Sequence, residues 1–343
     1  MKFSSLGRVV VGLFVLLGTY AFAGPPGTGY HQLKRLSLAN PGQKEYFDYV
    51  VVDNDARRVY LTHGFEVKVL DADSLAVIAT IGGLVRCHGV AIVKDLNKGF
   101  ITDGEAAKIV VFDLKSLKVT GSIHSSDDTD SIVYDPVSKY VVSFNGDSKN
   151  ATVVDPKKET VVKAIDLGGG PEFPVADGKG MIYDNNSDLN AILAIDTKSL
   201  TIKDKWPTAP AGEPTALAMD RQHRRLFCAG RKPQNMVVMD ADSGKIIQSF
   251  PITAGVDAAV FEPATGLIFV STREGFIHIF HEDSPDKYSE VDKVKTEFGA
   301  KTMDLDPKTH NLLLTTADFG PPPAPGKNPA PKPGTFRLLV YGK

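Results

Sequence analysis

Residues 59–81 read VYLTHGFEVKVLDADSLAVIATI and divide into three short strands. Val59–Thr62 is apolar and β-branched, and His63–Glu66 is polar. Val67–Leu70 returns to the apolar pattern, Asp71–Leu75 forms a second turn, and Ala76–Ile81 closes the stretch. Apolar alternation broken by Asp, Gly and Ser turns predicts an antiparallel meander.

The pattern recurs along the chain. GFITDGEAAKIVVFDLKSLKVTGSI, YVVSFNGDSKNATVVDPKKETVVKAI and MIYDNNSDLNAILAIDTKSLTIKDKW follow it, then LFCAGRKPQNMVVMDADSGKIIQSF and IFVSTREGFIHIFHEDSPDKYSEVDKV. The turn aspartates Asp71, Asp113, Asp155, Asp196 and Asp240 repeat about every 42 residues, the period of a four-stranded propeller blade. The predicted fold is therefore all-β, a seven-bladed β-propeller. Its blades span about 46–84, 85–126, 127–169, 170–210, 211–252, 253–299 and 300–343. The last blade lacks a fourth strand at the C-terminus, and the orphan strand Tyr30–Leu38 supplies it. Ring closure of this kind removes exposed sheet edges. Blade 7 carries the one long insertion, Ala317–Gly334, which is Pro-rich and predicted to be stiff, extended and unpaired.

The chain has 343 residues and a net charge of −2, with no basic stripe interleaved with aromatics, so nucleic acid is not an expected partner. Lys2 and Arg8, the apolar run Val9–Tyr20 and Ala21-Phe22-Ala23 form the n-region, h-region and cleavage site of a signal peptide covering residues 1–23. The expected mature chain, 24–343, is a periplasmic or secreted monomer without membrane insertion. Cys87 and Cys228 fall on blades 2 and 5. A disulfide needs Cα atoms within about 7 Å, so two buried thiols are expected.

Val59-Tyr60-Leu61-Thr62 with the Asp71 turn resembles the YVTN-repeat β-propellers. Asp177-Gly178-Lys179 keeps that family's turn without its proline. Ile268–Thr272 and Leu312–Thr316 are degenerate copies of its VYVTN strand. The resemblance covers nearly all of residues 30–343 and implies an exported seven-bladed propeller. The family shares no single reaction, so it implies no catalytic residue. The Trp-Asp signature of WD40 repeats is missing, because Pro207 follows the only tryptophan, Trp206.

In a propeller the innermost strand of each blade lines the central channel. The residues opening these strands are Asp48, His88, Asp130, Glu172, Thr215, Asp257 and Lys301. Second-strand ends add His63, Asp103, Asn145, Asn185, Arg231, Arg273 and Asp318 on the same face. Crowded carboxylates raise one another's pKa or recruit a cation. Asp48, His88, Asp130 and Asp257 thus form a candidate site for a divalent cation, calcium with its oxygen ligands or zinc with the imidazoles. Three readings stand side by side: solvated channel residues, a site for a small molecule or protein, and a metal-dependent hydrolase or lyase. The last rests on analogy with propeller lactonases and lyases. Neither G-x-S-x-G nor H-E-x-x-H occurs, and Cys87-His88 lacks the preceding half of a haem attachment motif. His278 and His281 are expected on an exposed strand face, and His31, His124, His223 and His310 on rims or outer turns.

Overall fold

The computed structural model describes Met1 and residues 27–39, 45–324 and 327–343. Met1 apart, the expected signal peptide lies outside the described residues. Seven sheets of four antiparallel strands are present. Six are built from consecutive strands. The seventh combines Met303–Asp306, Asn311–Thr316 and Arg337–Gly342 with the N-terminal strand His31–Ser37 as its outer member. The closing strand pairs with the last strand from His31↔Gly342 to Ser37↔Arg337, and Tyr30 Oη donates to His310 O at 2.9 Å.

The recurring aspartate has a local cause. Asp71 Oδ1 accepts the Ser74 amide at 2.7 Å, and the Leu75 amide returns to Asp71 O at 2.8 Å. The same pair of bonds forms at Asp113 with Ser116 and Leu117, and at Asp196 with Ser199 and Leu200. An Asp side chain bonding to the backbone ahead of it nucleates such a turn. The turn then closes through a residue in the left-handed region: Leu75 at φ 62°, Leu117 at 57°, Glu159 at 55° and Leu200 at 55°. Blade 5 uses Gly244, at φ 71°. Any Cβ there would lie 2.2 Å from Cγ of Trp206, so tryptophan packing and backbone twist both call for glycine at this turn.

Seven apolar clusters hold the ring, each spanning two neighbouring blades. One joins Leu313, Leu338 and Val340 of blade 7 to Val50, Leu61 and Leu70 of blade 1. An open row of seven sheets would have one interface fewer, so this contact closes the circle. The outer strands are mostly exposed, as in Thr160–Asp166, whereas second and third strands such as Val141–Asn145 and Asn150–Asp155 are largely buried.

Two expectations are corrected. The Pro-rich insertion pairs with itself: Phe319 and Pro331 form an antiparallel bridge, and the Gly320 amide donates to Ala330 O at 2.9 Å. Glu45 Oε1 also accepts the Gly334 amide at 2.7 Å. The reason is that non-proline residues sit at both ends of the loop and supply the donors that proline lacks. His278 is buried rather than exposed, with Nδ1 2.9 Å from Glu290 Oε1 and Nε2 accepting the Thr253 amide at 3.0 Å. The long outer strand Lys287–Lys295 covers it. Cys87 and Cys228 are free, buried thiols.

Candidate site at the channel mouth

A repeated irregularity positions the site. In blades 2 to 6 the pairing of the inner strand with its neighbour slips near the mouth. The slips fall between Cys87 and Val90, Thr129 and Ile132, Pro171 and Pro174, Pro214 and Ala216, and Val256 and Ala258. The residues inside them include His88, Asp130, Glu172, Thr215 and Asp257. A bulge leaves its extra residue out of the ladder and re-aims its side chain, here once per blade at one level. Asp48 and Lys301 take the equivalent places just before the short inner strands Val50–Asp53 and Met303–Asp306.

Hydroxyls fix the backbone at this level. Thr102 Oγ1 donates to Asp130 O, Ser271 Oγ to Lys301 O, and Thr302 Oγ1 to Asp48 O at 2.5 Å. Each hydroxyl lies on the blade before the carbonyl it serves, so these bonds tie blade 2 to 3, 6 to 7 and 7 to 1 at the mouth.

The side chains form two linked groups. In the first, His88 Nδ1 lies 2.8 Å from Asp48 Oδ2, 3.0 Å from Asp130 Oδ1 and 3.0 Å from Tyr46 Oη. One N–H cannot serve three oxygens. Asp48 takes the hydrogen bond, and the Asp130 contact is ionic, leaving Asp130 Oδ1 without a hydrogen-bond partner among the described residues. Burial pushes the imidazole down, but Asp130 and Asp48 outweigh it and raise His88 to about 10. In the second group, Lys301 Nζ sits 2.6 Å from Asp257 Oδ2 and 3.3 Å from Asp48 Oδ1, and Arg231 pairs with Asp257 from the other side. Burial works to raise both carboxylates. Lys301 with His88 at Asp48, and Lys301 with Arg231 at Asp257, hold them below the ordinary range.

Glu172 stands apart. Its nearest cation, Arg231, is 3.8 Å away. Burial raises its carboxyl to about 7, with Arg231 opposing and Asp130 and Asp257 adding. Its side chain is 26% exposed, so solvent moderates this effect. Asp48, Tyr49, Asp130, Glu172, Thr215 and Arg231 line a mouth cavity of ≈ 70 Å³ together with Asp257 and Lys301. Tyr49 also lines the ≈ 280 Å³ cavity deeper in the channel, so it stands between the two. Glu172, Thr215 and Arg231 continue into a ≈ 420 Å³ groove with Ser187, Asp188, Asn190 and Glu213.

Of the residues expected at the mouth, Asp48, Asp130, Glu172, Thr215, Asp257 and Lys301 line its cavity, and His88 sits directly behind two of them. His63, Asp103 and Asn185 serve the framework. His63 bonds Glu45 at 2.5 Å and stacks on Phe336 at 4.1 Å. Asp103 accepts the Val85 and Arg86 amides at 2.9 and 2.7 Å. Asn185 accepts from the Cys228 thiol at 3.3 Å. Asn145 is bound within a buried hydroxyl network at Ser125 and Thr152, and Asp318 pairs with Arg337 at 2.9 Å. Of the four residues expected to hold a metal, Asp48, His88 and Asp130 place ligand atoms within 4.8 Å of one another, while Asp257 is held by two cations. Tyr46, Tyr49 and Arg86 were not expected. Arg86 Cζ lies 4.4 Å from the Tyr46 ring centroid. Tyr46 and Tyr49 flank Asp48 in sequence, the one signal that could have found them.

Fold and site define the chain as a seven-bladed β-propeller whose ionisable groups converge on one mouth of the channel. A scan against family models and a comparison with curated proteins found no match. Among solved structures, the chain is similar to the hydrazine synthase of Kuenenia stuttgartiensis at 14% identity and TM-score 0.68, over 83% of this chain and 96% of that one. It is similar to U3-55K at 9% identity and TM-score 0.75, over 93% and 100%. The RRP9 WD40 repeats match at 8% identity and TM-score 0.74, over 92% and 98%. At these identities the likeness shows the propeller fold alone.

Proposed function

We propose that the chain is an exported, monomeric propeller of the YVTN-repeat type that binds a small polar ligand at the channel mouth. The supporting observation is the bulge series, which brings one polar side chain from each of blades 2 to 6 to one level around a cavity open to a groove. Bulges recur at barrel rims and beside active sites, where they re-aim side chains. Asp48 and Asp257 are already neutralised by cations. Asp130 Oδ1 has no hydrogen-bond partner among the described residues, the cation nearest Glu172 is Arg231 at 3.8 Å, and Glu213 adds a carboxylate in the groove. Asp188, by contrast, is paired with Lys149 at 2.8 Å, and Asn190 Oδ1 accepts the Glu213 amide at 2.7 Å. That surplus favours a ligand rich in donors, an amine or a polyol. The test is a thermal-shift screen of amines, polyols and divalent cations. A ligand at about 100 times its Kd stabilises by about 2.7 kcal/mol, and E172Q and D130N should remove that gain. Hits that persist in both variants would place binding elsewhere.

The Asp48–His88–Asp130 cluster favours a second reading, a hydrolase or lyase using a divalent cation of the calcium or zinc kind. Elemental analysis of protein purified without chelator, with H223Q used to leave out the second cluster, Asp220–His223–Glu282, separates the two. Fewer than about 0.1 ions per chain, against the unit stoichiometry that a catalytic metal site requires, would remove the enzymatic reading. Fractionation of expressing cells tests export.

A further inference from the structure

On the face opposite the mouth, the first turn of blade 5 meets the end of the third strand of blade 6. Between them lies a cleft of ≈ 360 Å³ lined by Asp220, His223, Phe261, Glu282, Asp283 and Pro285, among others. Thr215 and Asp220 occupy opposite ends of the strand Pro214–Asp220, so the cleft is separate from the mouth.

His223 Nδ1 lies 2.7 Å from Asp220 Oδ2 and 2.8 Å from Glu282 Oε1. The ring N–H bonds to Glu282, while Asp220 accepts the His223 amide at 3.0 Å and the Gln222 amide at 2.9 Å. Both carboxylate side chains are almost fully buried, at 3% and 4% exposure, while His223 is 39% exposed. Glu282 Oε2 has no hydrogen-bond partner among the described residues. A buried carboxylate oxygen without a donor is costly, and here it belongs to a residue lining the cleft. The three residues place ligand atoms within 4.8 Å of one another.

The geometry points to a second site, a divalent transition-metal site of the zinc class formed by Asp220, His223 and Glu282 and entered from the cleft. One imidazole and two carboxylates form a mixed nitrogen–oxygen set that suits zinc better than calcium. Metal–ligand bonds of about 2.0–2.2 Å need ligand atoms slightly farther apart than they now stand. Rotation of the half-exposed His223 opens that space. Asp283, at the cleft rim and now paired with His281 at 2.7 Å, or a water completes the set. The ion would replace the imidazole proton now bonded to Glu282, and would face the unpartnered Glu282 oxygen.

The test uses full-length protein stripped with chelator and titrated with Co²⁺, followed by visible absorbance and by Zn²⁺ competition. One equivalent should bind. Replacing a supporting partner of a metal ligand typically costs about 10–100-fold in affinity, so replacing a ligand in H223Q or E282Q should weaken binding by more than about 100-fold. The mouth variant D48N/H88Q/D130N should bind Co²⁺ as the parent does. Absence of Co²⁺ binding by the parent, or equal binding by parent and H223Q, would overturn the site. So would binding lost in the mouth variant and kept in H223Q. His223 is exposed, so H223Q decides the matter if E282Q fails to fold.

Discussion

Replacing Lys301 with methionine tests the electrostatics of the mouth most directly. The ammonium bridges Asp257 and Asp48 at 2.6 and 3.3 Å, and all three side chains are under 20% exposed, at 18%, 7% and 11%. Methionine keeps the stem and removes the charge. Removing one partner of a buried ion pair costs about 3–5 kcal/mol, because the other charge stays buried and unpaired. Here Asp257 keeps Arg231 and Asp48 keeps His88, so the lower end, about 3 kcal/mol, is expected. For a chain of this size the Tm should fall by about 4 °C. The pH dependence carries the sign. In the parent both carboxyls titrate below their ordinary value, so their contribution is present above the unfolded pKa and lost as pH falls through the folded one. In K301M the Lys301 contribution is gone and both folded values rise from those of the parent, so less stability is gained as pH rises. The gap between parent and variant should therefore widen from pH 4 to pH 7. Urea unfolding at several pH values measures it, and K301M/D257N should recover part of the loss. A gap below about 0.5 kcal/mol at pH 7, the range of an inconsequential surface change, would refute this account of the mouth. So would a gap that grows on acidification.

Three further outcomes follow from the same geometry. His88, raised to about 10, should contribute stability that is full below about pH 6.5 and fades as pH rises to about 10; H88Q should lose that dependence, and an NMR titration placing His88 near 6.5 would contradict it. Glu172, raised to about 7, costs stability once ionised, so E172Q should melt higher than the parent at pH 8 and equally at pH 4, by calorimetry. Removing residues 1–38 takes away the strand paired with Arg337–Gly342 and opens a sheet edge; the product should associate, and a monomer on size-exclusion chromatography with parental Tm would argue against closure by that strand.

The ring was legible in the sequence because a blade is a local object. Its strands are short and neighbouring, and its turns are set by an aspartate bonding to amides within three residues, as at Asp71 and Ser74. Even the distant closing strand could be read, since Tyr30–Leu38 had no partner nearby and the last blade lacked one. The level of Asp48, His88, Asp130, Glu172, Thr215, Asp257 and Lys301 followed from repeat arithmetic. Only the tertiary structure decided which charges neutralise which. Arg231 reaches Asp257 from the neighbouring blade, and Glu172 is left without a close cation. His63 and Asp103 turn to the framework, although their repeat positions match those of channel residues. The folding back of the Pro-rich insertion onto Glu45, and the approach of His223 to Glu282, also join segments far apart in the chain. Periodicity assigns a residue to a level of the ring. Partner choice depends on side-chain reach across blade interfaces, and no repeat encodes that.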